Sequence, residues 1–255
     1  MEIGNSNIFY LSEQEALKAE PKVLFKITII GVPQSGKSYL VDKLIDKNNE
    51  MHSNVYVPTI MINYRFLTGK YHDDLYFKLV FYDFSGKENL LPLSIDYASK
   101  SHVIMFLFKS DLDFEKQLIN LKSILKLIEG DLLANFNFYL KILVFNLSQQ
   151  KAKPTTSSTE KYGKFKLEVQ EIFNNFSNYI IVEGNAFKEI NLVDVIKANI
   201  ADYCINKYND LAKIHETNTE FTLFKDNLDN EVNYTIPKGL GKLKKEDNAC
   251  CCNLY

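Results

Sequence analysis

The fold of this 255-residue chain is best recognised from residues 25–45, which read FKITIIGVPQSGKSYLVDKLI. The centre of this stretch, residues 31–38, fits the pattern G-x-x-x-x-G-K-[ST], which arises by chance in a chain of this length on the order of one per cent of the time. An apolar strand precedes the pattern and a helical pattern follows it, which is the setting that a phosphate-binding loop requires. A tight turn with an exposed lysine is the alternative. The context favours a nucleotide-binding α/β domain.

The chemistry of phosphate binding explains the residue types in this loop. Gly31 and Gly36 allow backbone conformations that turn N–H groups towards phosphate oxygens. Lys37 supplies a positive charge for the β- and γ-phosphates, and the hydroxyl of Ser38 binds Mg²⁺. We assign three further residues of this stretch to nucleotide binding: Gln34, Ser35 and Tyr39.

Apolar runs of strand length alternate with helical patterns along the chain. The six predicted strands are Lys22–Ile30, Met61–Thr68, Leu75–Asp83, Val103–Phe108, Phe138–Phe145 and Tyr179–Val182. The five predicted helices are Gly36–Lys47, Glu88–Ser99, Asp113–Glu129, Glu160–Asn175 and Ile190–Tyr208. This alternation predicts a three-layer α/β fold in which helices cover both faces of a six-stranded, mostly parallel sheet. The polar residues 69–74 join the second and third runs as a hairpin, which predicts one antiparallel edge strand.

We divide the chain into three parts. Residues 1–21 are an N-terminal extension, residues 22–210 are the nucleotide-binding domain, and residues 211–255 are a flexible tail where the periodic patterns fade. Within the domain, the polar residues 149–163 are predicted to form a surface loop.

The composition argues against several classes of protein. Hydrophobic residues make up 46% of the chain and charged residues 24%, which suits a globular domain with a sizeable core. A net charge of −2 argues against a general nucleic-acid-binding protein. No apolar run approaches the ~18 residues that a membrane span needs, and the N-terminus lacks a signal-peptide pattern. We therefore expect a chain that stays in the cytosol and has no nucleic-acid partner.

Further motifs follow the phosphate-binding loop in a fixed order. Thr59 precedes the second predicted strand, and Asp83-Phe84-Ser85-Gly86 closes the third. Asn146 ends the apolar run KILVFN, and Asn185-Ala186 follows the last strand. With these motifs, residues 22–208 resemble the Ras superfamily of small GTPases.

The resemblance implies a small G-domain that binds GTP or GDP together with Mg²⁺. Ser38 and Thr59 would bind Mg²⁺ through their hydroxyls, and Asp83 would hold it through water. Thr59 and the amide of Gly86 would also sense the γ-phosphate. Loss of that phosphate would release both loops, an order–disorder change that effector and exchange-factor proteins can read.

The sequence departs from this superfamily where water is activated and where the base is read. Lys87 follows Gly86 in place of the usual glutamine. An ammonium group cannot accept the proton of the attacking water, although it can offset charge on the phosphate, so intrinsic hydrolysis should be slow or absent. The N-K-x-D motif reads Asn146-Leu147-Ser148-Gln149, and the S-A-K motif reads Asn185-Ala186-Phe187. Asn146, Gln149, Asn185 and Ala186 are the candidate base-binding residues, and guanine specificity is open.

Within the superfamily, the chain is most similar to the Rab branch. Residues 59–64 read TIMINY, which resembles the Rab stretch T-I-G-V-D-F, and Asp96-Tyr97 resembles a decayed Y-Y-R-G-A segment. The chain ends on Cys250-Cys251-Cys252-Asn253-Leu254-Tyr255, and Rab tails carry two lipid chains on such cysteines. Two chains are what stable membrane anchoring needs, so we expect lipidation of Cys251 and Cys252, with an unmodified thiol cluster as the alternative.

Three functional hypotheses remain. The first is a Rab-like GTP-binding switch in vesicle traffic, a monomer on the cytoplasmic face of endomembranes that cycles with the cytosol. The second is a pseudo-GTPase that holds nucleotide permanently, or none, and acts as a membrane-tethered scaffold. The third is an ATP-using kinase or ATPase, which lacks an evident acceptor-site or lid segment in this sequence.

Overall fold

The computed structural model describes residues 8–19, 21, 23–45, 57–71, 75–128, 140–147, 156–185 and 190–215. Its strands are β1 (Ile8–Tyr10), β2 (Val23–Ile30), β3 (Ile62–Tyr71), β4 (Leu75–Phe84), β5 (Val103–Lys109), β6 (Leu140–Asn146) and β7 (Tyr179–Gly184). Its helices are α1 (Glu13–Ala16), α2 (Lys37–Ile45), α3 (Leu91–Ala98), α4 (Phe114–Leu127), α5 (Thr156–Phe173) and α6 (Ile190–His215). A 3-10 turn at Glu88–Leu90 precedes α3.

These strands form one sheet in the order β1-β3-β4-β2-β5-β6-β7. β2 pairs in parallel with both β4 and β5, and the parallel pairing continues through β6 to β7. The register places Asp83 beside Ile29, and Asn146 beside both Lys109 and Gly184. Because parallel strands end at the same edge, the loops after β2, β4, β5, β6 and β7 lie together there, where open α/β sheets bind ligands.

The predicted α/β class with a mostly parallel sheet is confirmed, and each of the six predicted strands is present. The expectation of six strands is wrong, because Ile8–Tyr10 adds a seventh within the described residues. β1 pairs antiparallel with β3, with Ile8 opposite Tyr71, so the antiparallel strand β3 is not the edge strand that the sequence predicts. A three-residue strand is too short for an alternating pattern, which explains why it escapes sequence analysis.

Two helix predictions also need correction. The helix predicted at Glu88–Ser99 is a 3-10 turn followed by α3, and Pro92 lies in the first turn of that helix. The loop predicted at residues 149–163 is wrong from Thr156 onward, because α5 begins there. Its Ser/Thr residues resemble a loop in composition, yet the same residue types are common where helices begin. With α1, the described residues form six helices, against about five predicted.

The sheet separates two apolar layers. On one face, β2, β5 and β6 pack against α2 and α6 through buried residues that include Ile29, Leu40, Leu44, Ile196 and Ile200. On the other face, Phe106, Leu143 and Phe145 pack against Leu121 of α4 and Phe173 of α5. The strands that carry the site are therefore held from both sides. No helix among the described residues is long and apolar enough to cross a membrane.

Candidate functional site

The loop of residues 31–36 joins β2 to α2 through two residues with positive φ. Gln34 has a φ of 65° and Gly36 a φ of 96°, in the left-handed region that turns successive N–H groups to the same side. Left-handed backbone costs about 1–2 kcal/mol for a residue with a side chain, so the fold imposes this conformation on Gln34. At Gly31, a Cβ would lie 2.7 Å from the carbonyl oxygen of Leu107, which leaves room for glycine alone. The loop conformation suits anion binding at the start of α2.

Lys37 is buried at the start of α2 and reaches back across the loop. Its Nζ donates to the carbonyl oxygens of Gly31 at 2.8 Å and Val32 at 2.9 Å, and the residue is 6% exposed. Burial lowers the pKa of Lys37 to about 8, and the nearby Asp83 opposes that shift. The ammonium is thus already aimed at the loop where phosphate oxygens would compete for its protons.

Ser38, Thr59 and Asp83, the three predicted Mg²⁺ ligands, meet at one point although they are far apart in sequence. The hydroxyl of Ser38 donates to Oδ2 of Asp83 at 2.6 Å and lies 3.1 Å from the hydroxyl of Thr59. Thr59 also donates to Oδ2 of Asp83, at 3.4 Å. The start of α2, the loop before β3 and the end of β4 each supply one oxygen.

The carboxylate of Asp83 shows whether this group of oxygens suits a cation. The residue is 1% exposed, and its Oδ1 has no hydrogen-bond partner among the described residues. Burial raises its pKa, while the hydrogen bond from Ser38 and the charge of Lys37 oppose the rise. A buried carboxylate oxygen without a partner, beside two hydroxyls, matches the oxygen ligands that Mg²⁺ prefers. These residues therefore fit a Mg²⁺ ion.

Gly86 lies directly against the phosphate-binding loop. A Cβ at this position would overlap the backbone of Val32 and Pro33, so only glycine allows the approach. The amide of Ser85 donates to the carbonyl oxygen of Met61 at 2.9 Å, which ties the end of β4 to the segment that carries Thr59. Lys87 follows with an exposed side chain.

The base-binding side is described in part. Asn146 is 1% exposed at the end of β6, and its Nδ2 donates to the carbonyl oxygen of Ser35 at 3.4 Å. Asn185 is 8% exposed just after β7, and the amide of Leu147 donates to Gly184 at 2.8 Å. These contacts bring β6, β7 and the phosphate-binding loop together. Two predicted base-binding residues, Gln149 and Ala186, lie outside the described residues.

Tyr39 and the cysteines of the tail complete the predicted site residues. The Tyr39 side chain packs against the apolar layer formed by α2 and α6, and Nζ of Lys43 lies 5.9 Å from its ring centre. The predicted lipidation sites Cys251 and Cys252 lie outside the described residues, as does Cys250.

Sequence analysis passed over Glu183, one residue before the end of β7. Its carboxylate accepts a hydrogen bond from the hydroxyl of Tyr162 at 2.9 Å and pairs with the ammonium of Lys166. Both partners come from α5, and together they hold the strand that leads to Asn185. Nothing in the local sequence around Glu183 signals this role, because the partners are brought together only by the packing of α5 on the sheet.

One family model matches part of the chain. Residues 26–132 match Roc, the Ras of Complex domain of DAPkinase. The Roc domain is a Ras-like GTPase domain, and the match runs from the phosphate-binding loop through Thr59, Asp83 and Lys87 to the end of α4. It covers less than half of the chain and stops before Asn146. No curated protein matches the sequence.

Proposed function

We propose that this chain is a GTP-binding switch of the Ras superfamily, which the match of residues 26–132 to a Ras-like GTPase domain supports. Within that superfamily, we propose a Rab-like, membrane-anchored member that recruits effectors in vesicle traffic. The observation that supports the switch is that the hydroxyls of Ser38 and Thr59 both donate to Oδ2 of Asp83, whose other oxygen, Oδ1, has no hydrogen-bond partner among the described residues. Thr59, in the loop before β3, therefore contacts the same carboxylate as Ser38 at the start of α2. The occupancy of the site can then control where that loop lies.

The segment around Thr59 has the surface that such a switch needs. Val57, Ile60 and Met61 are 75%, 84% and 50% exposed, so three apolar side chains flank the residue that would sense the γ-phosphate. When Thr59 holds its position, these side chains are presented in one arrangement. When Thr59 is released, the arrangement is lost, and an effector that binds them loses its surface.

Hydrolysis should be slow or absent. The bound Mg²⁺ would offset charge on the β- and γ-phosphates, and Lys37 would hold the same phosphates from inside the loop. Lys87 occupies the position of the water-orienting glutamine, and a protonated amine has no lone pair to accept the proton of the attacking water. Without that acceptor, the triphosphate form should be long-lived.

The Rab-like part of the proposal rests on the sequence of the tail and of residues 59–64. Lipid chains on Cys251 and Cys252 would hold the protein on the cytoplasmic face of endomembranes, from which it would cycle to the cytosol. Lys238, Lys242, Lys244 and Lys245 would add attraction to anionic lipids. Exchange factors and effectors would be its protein partners, and the resemblance favours a monomer.

A pseudo-GTPase scaffold is the second candidate, and Leu147 is the residue that favours it. Leu147 replaces the lysine whose stem packs over the base in relatives, and its side chain is half-buried after β6. With Lys87 exposed in place of the catalytic glutamine, both the base-reading and the hydrolytic positions are altered. Such a protein would keep its partners regardless of nucleotide.

Nucleotide titration of the purified full-length protein distinguishes the two candidates. We expect tight binding of GDP and GTP that weakens when Mg²⁺ is chelated, and much weaker binding of ADP and ATP. The bound nucleotide of the freshly purified protein, identified after denaturation, should then be a guanine nucleotide. Binding without preference between the bases, or no binding, would favour the scaffold over the switch.

A further inference from the structure

The contact of Gly86 with the phosphate-binding loop brings a second lysine to the phosphate end of the site. Gly86 touches the backbone of Val32 and Pro33 so closely that a Cβ has no room. The Cα of Lys87 is about 3.8 Å from that of Gly86, because consecutive Cα atoms are this far apart. A lysine side chain with four methylenes can therefore bring its ammonium to a phosphate group held by this loop.

A hydrogen bond fixes the backbone of Lys87, whereas its side chain has no partner among the residues that the structure describes. Lys87 has an extended backbone, with φ −72° and ψ 135°, and its carbonyl oxygen accepts the amide of Leu90 at 3.0 Å in the 3-10 turn. Its side chain is exposed and forms no hydrogen bond or ion pair with the described residues. The neighbouring Glu88 is also exposed. No described carboxylate neutralises the Lys87 ammonium.

The other lysine of the site is already held by the protein. Nζ of Lys37 is bound by the carbonyl oxygens of Gly31 and Val32, inside the loop. A triphosphate carries more negative charge than a diphosphate, and the added charge sits on the terminal phosphate, the group that Gly86 would face. Lys87 would bring a second positive charge, beside that of Lys37, to this added charge.

We infer that Lys87 is a specificity-determining residue that binds the γ-phosphate and makes the protein prefer the triphosphate over the diphosphate. The inference rests on the proposed nucleotide-binding function and adds to it a preference for the triphosphate over the diphosphate. Lys87 replaces a residue that would speed loss of the γ-phosphate with one that retains it. The switch would therefore rest in its triphosphate form, and its timing would depend on nucleotide exchange.

The test compares the affinities of two nucleotides in matched variants of the full chain. We would measure Kd for GDP and for the non-hydrolysable β,γ-imido analogue of GTP, with Mg²⁺, in the native protein, Lys87→Met, Lys87→Arg and Lys116→Met. Lys87→Met should weaken the analogue roughly tenfold and leave GDP nearly unchanged, since one charge pair near a protein surface is lost. Lys87→Arg should keep the preference. Lys116→Met, which removes an exposed lysine from α4, should match the native protein.

Ionic strength provides a second readout that a purely structural role would not change. The preference of the native protein for the analogue should shrink as salt rises from about 0.05 M to about 0.5 M, because the Debye length falls below the reach of an exposed charge. In Lys87→Met, the ratio of the two Kd values should not change with salt concentration. If Lys87→Met changes the Kd of both nucleotides equally, or changes neither, the proposed role of Lys87 is wrong. The proposed nucleotide-binding function would be unaffected by that result. If the native protein binds neither nucleotide, the proposed function fails first and the inference falls with it.

Discussion

At the scale of single residues, Asp83 shows a conflict between folding and metal binding. Its carboxylate is buried and keeps one oxygen without a partner, an arrangement that disfavours the charged form and raises its pKa. A carboxyl group with a raised pKa contributes its stability below its unfolded pKa and loses it as pH rises through the folded value. Without a cation, ionisation of Asp83 therefore costs stability as pH rises through its folded pKa, and a bound cation would offset this cost.

Asp83→Asn should consequently have two effects of opposite sign. Without nucleotide or Mg²⁺, we expect its Tm to rise by about 2–4 °C, the shift that corresponds to about 1 kcal/mol in a domain of this size. With both present, the Mg²⁺-dependent gain in nucleotide affinity should fall by 10-fold or more. Thermal melting and nucleotide titration with and without chelator measure the two effects.

The control for Asp83→Asn is Asp96→Asn, which alters an exposed aspartate of α3 that pairs with Lys100. It should leave the Mg²⁺ dependence unchanged. A lower Tm of Asp83→Asn in the absence of ligand would contradict the interpretation, because it would mean that the carboxylate stabilises the fold at neutral pH.

Lys37 leads to a prediction about pH. Its folded pKa of about 8 is depressed from the ordinary lysine value by burial, so the free protein loses this proton as pH rises through 8. The ammonium form is the one that binds phosphate, and nucleotide affinity should therefore drop on the alkaline side. Between pH 7 and pH 8.8 we expect a decrease of roughly sevenfold, which isothermal titration in matched ionic strength would measure.

The variant Lys37→Arg separates this titration from other effects of pH. A guanidinium stays charged over the whole range, so this variant should bind less well throughout but show no step near pH 8. The same step in Lys37→Arg would assign the titration to another group.

At the scale of secondary-structure elements, the short strand β1 joins the hairpin of β3 and β4 to the C-terminal helix α6. Its Tyr10 packs edge-on against Phe77 of β4 and donates its hydroxyl to the carbonyl oxygen of Lys197 at 3.2 Å. Nζ of Lys197 lies 5.0 Å from the centre of the Tyr10 ring. Residues from the predicted N-terminal extension thus bridge the strand that follows Thr59 and the helix that leads to the tail.

Tyr10→Phe removes the hydroxyl of this bridge and keeps its ring. We expect the free energy of unfolding to fall by about 1 kcal/mol, the usual contribution of a hydrogen bond of this kind. Urea unfolding followed by far-UV circular dichroism would measure the change. Tyr76→Phe is the matched control, because the Tyr76 hydroxyl has no hydrogen-bond partner among the described residues. Equal stability of the two variants would mean that the contact between Tyr10 and Lys197 does not stabilise the fold.

At the scale of the whole molecule, the sheet carries the candidate phosphate site at one edge, and the chain continues from α6 into the predicted tail. The proposed membrane association rests on the cysteines of residues 250–252. The proposed switch and the proposed anchor would occupy opposite parts of the sequence and be joined by α6.

Replacing both Cys251 and Cys252 with serine should move the protein from the membrane fraction to the cytosolic fraction of cells that express it. The physical reason is that two lipid chains hold a protein on a bilayer, whereas none leaves only weak charge attraction. Asn248→Ser changes the same tail without removing a thiol and should leave the distribution as in the native protein. An unchanged distribution of the double variant would contradict lipid anchoring at these two residues.

The sequence alone predicts much of the fold and the phosphate side of the site. Residues 25–45 determine a strand, a phosphate-binding loop and a helix, because this motif needs only local backbone geometry and the neighbouring charge of Lys37. The apolar runs also determine a mostly parallel sheet, since burial on both faces leaves a continuous pattern. The order of Ser38, Thr59 and Asp83 along the chain indicates shared chemistry.

The contacts between residues that are far apart in the sequence follow from the packing of the whole fold. The strand β1 joins the sheet through backbone pairing, which a sequence pattern does not reveal. Asn146 donates a hydrogen bond to the carbonyl oxygen of Ser35 in the phosphate-binding loop. The packing of the fold also brings Tyr162 and Lys166 of α5 to Glu183 of β7. Each of these contacts depends on the distance between elements that are far apart in the chain. A local pattern records the environment of a residue but not the identity of its partner.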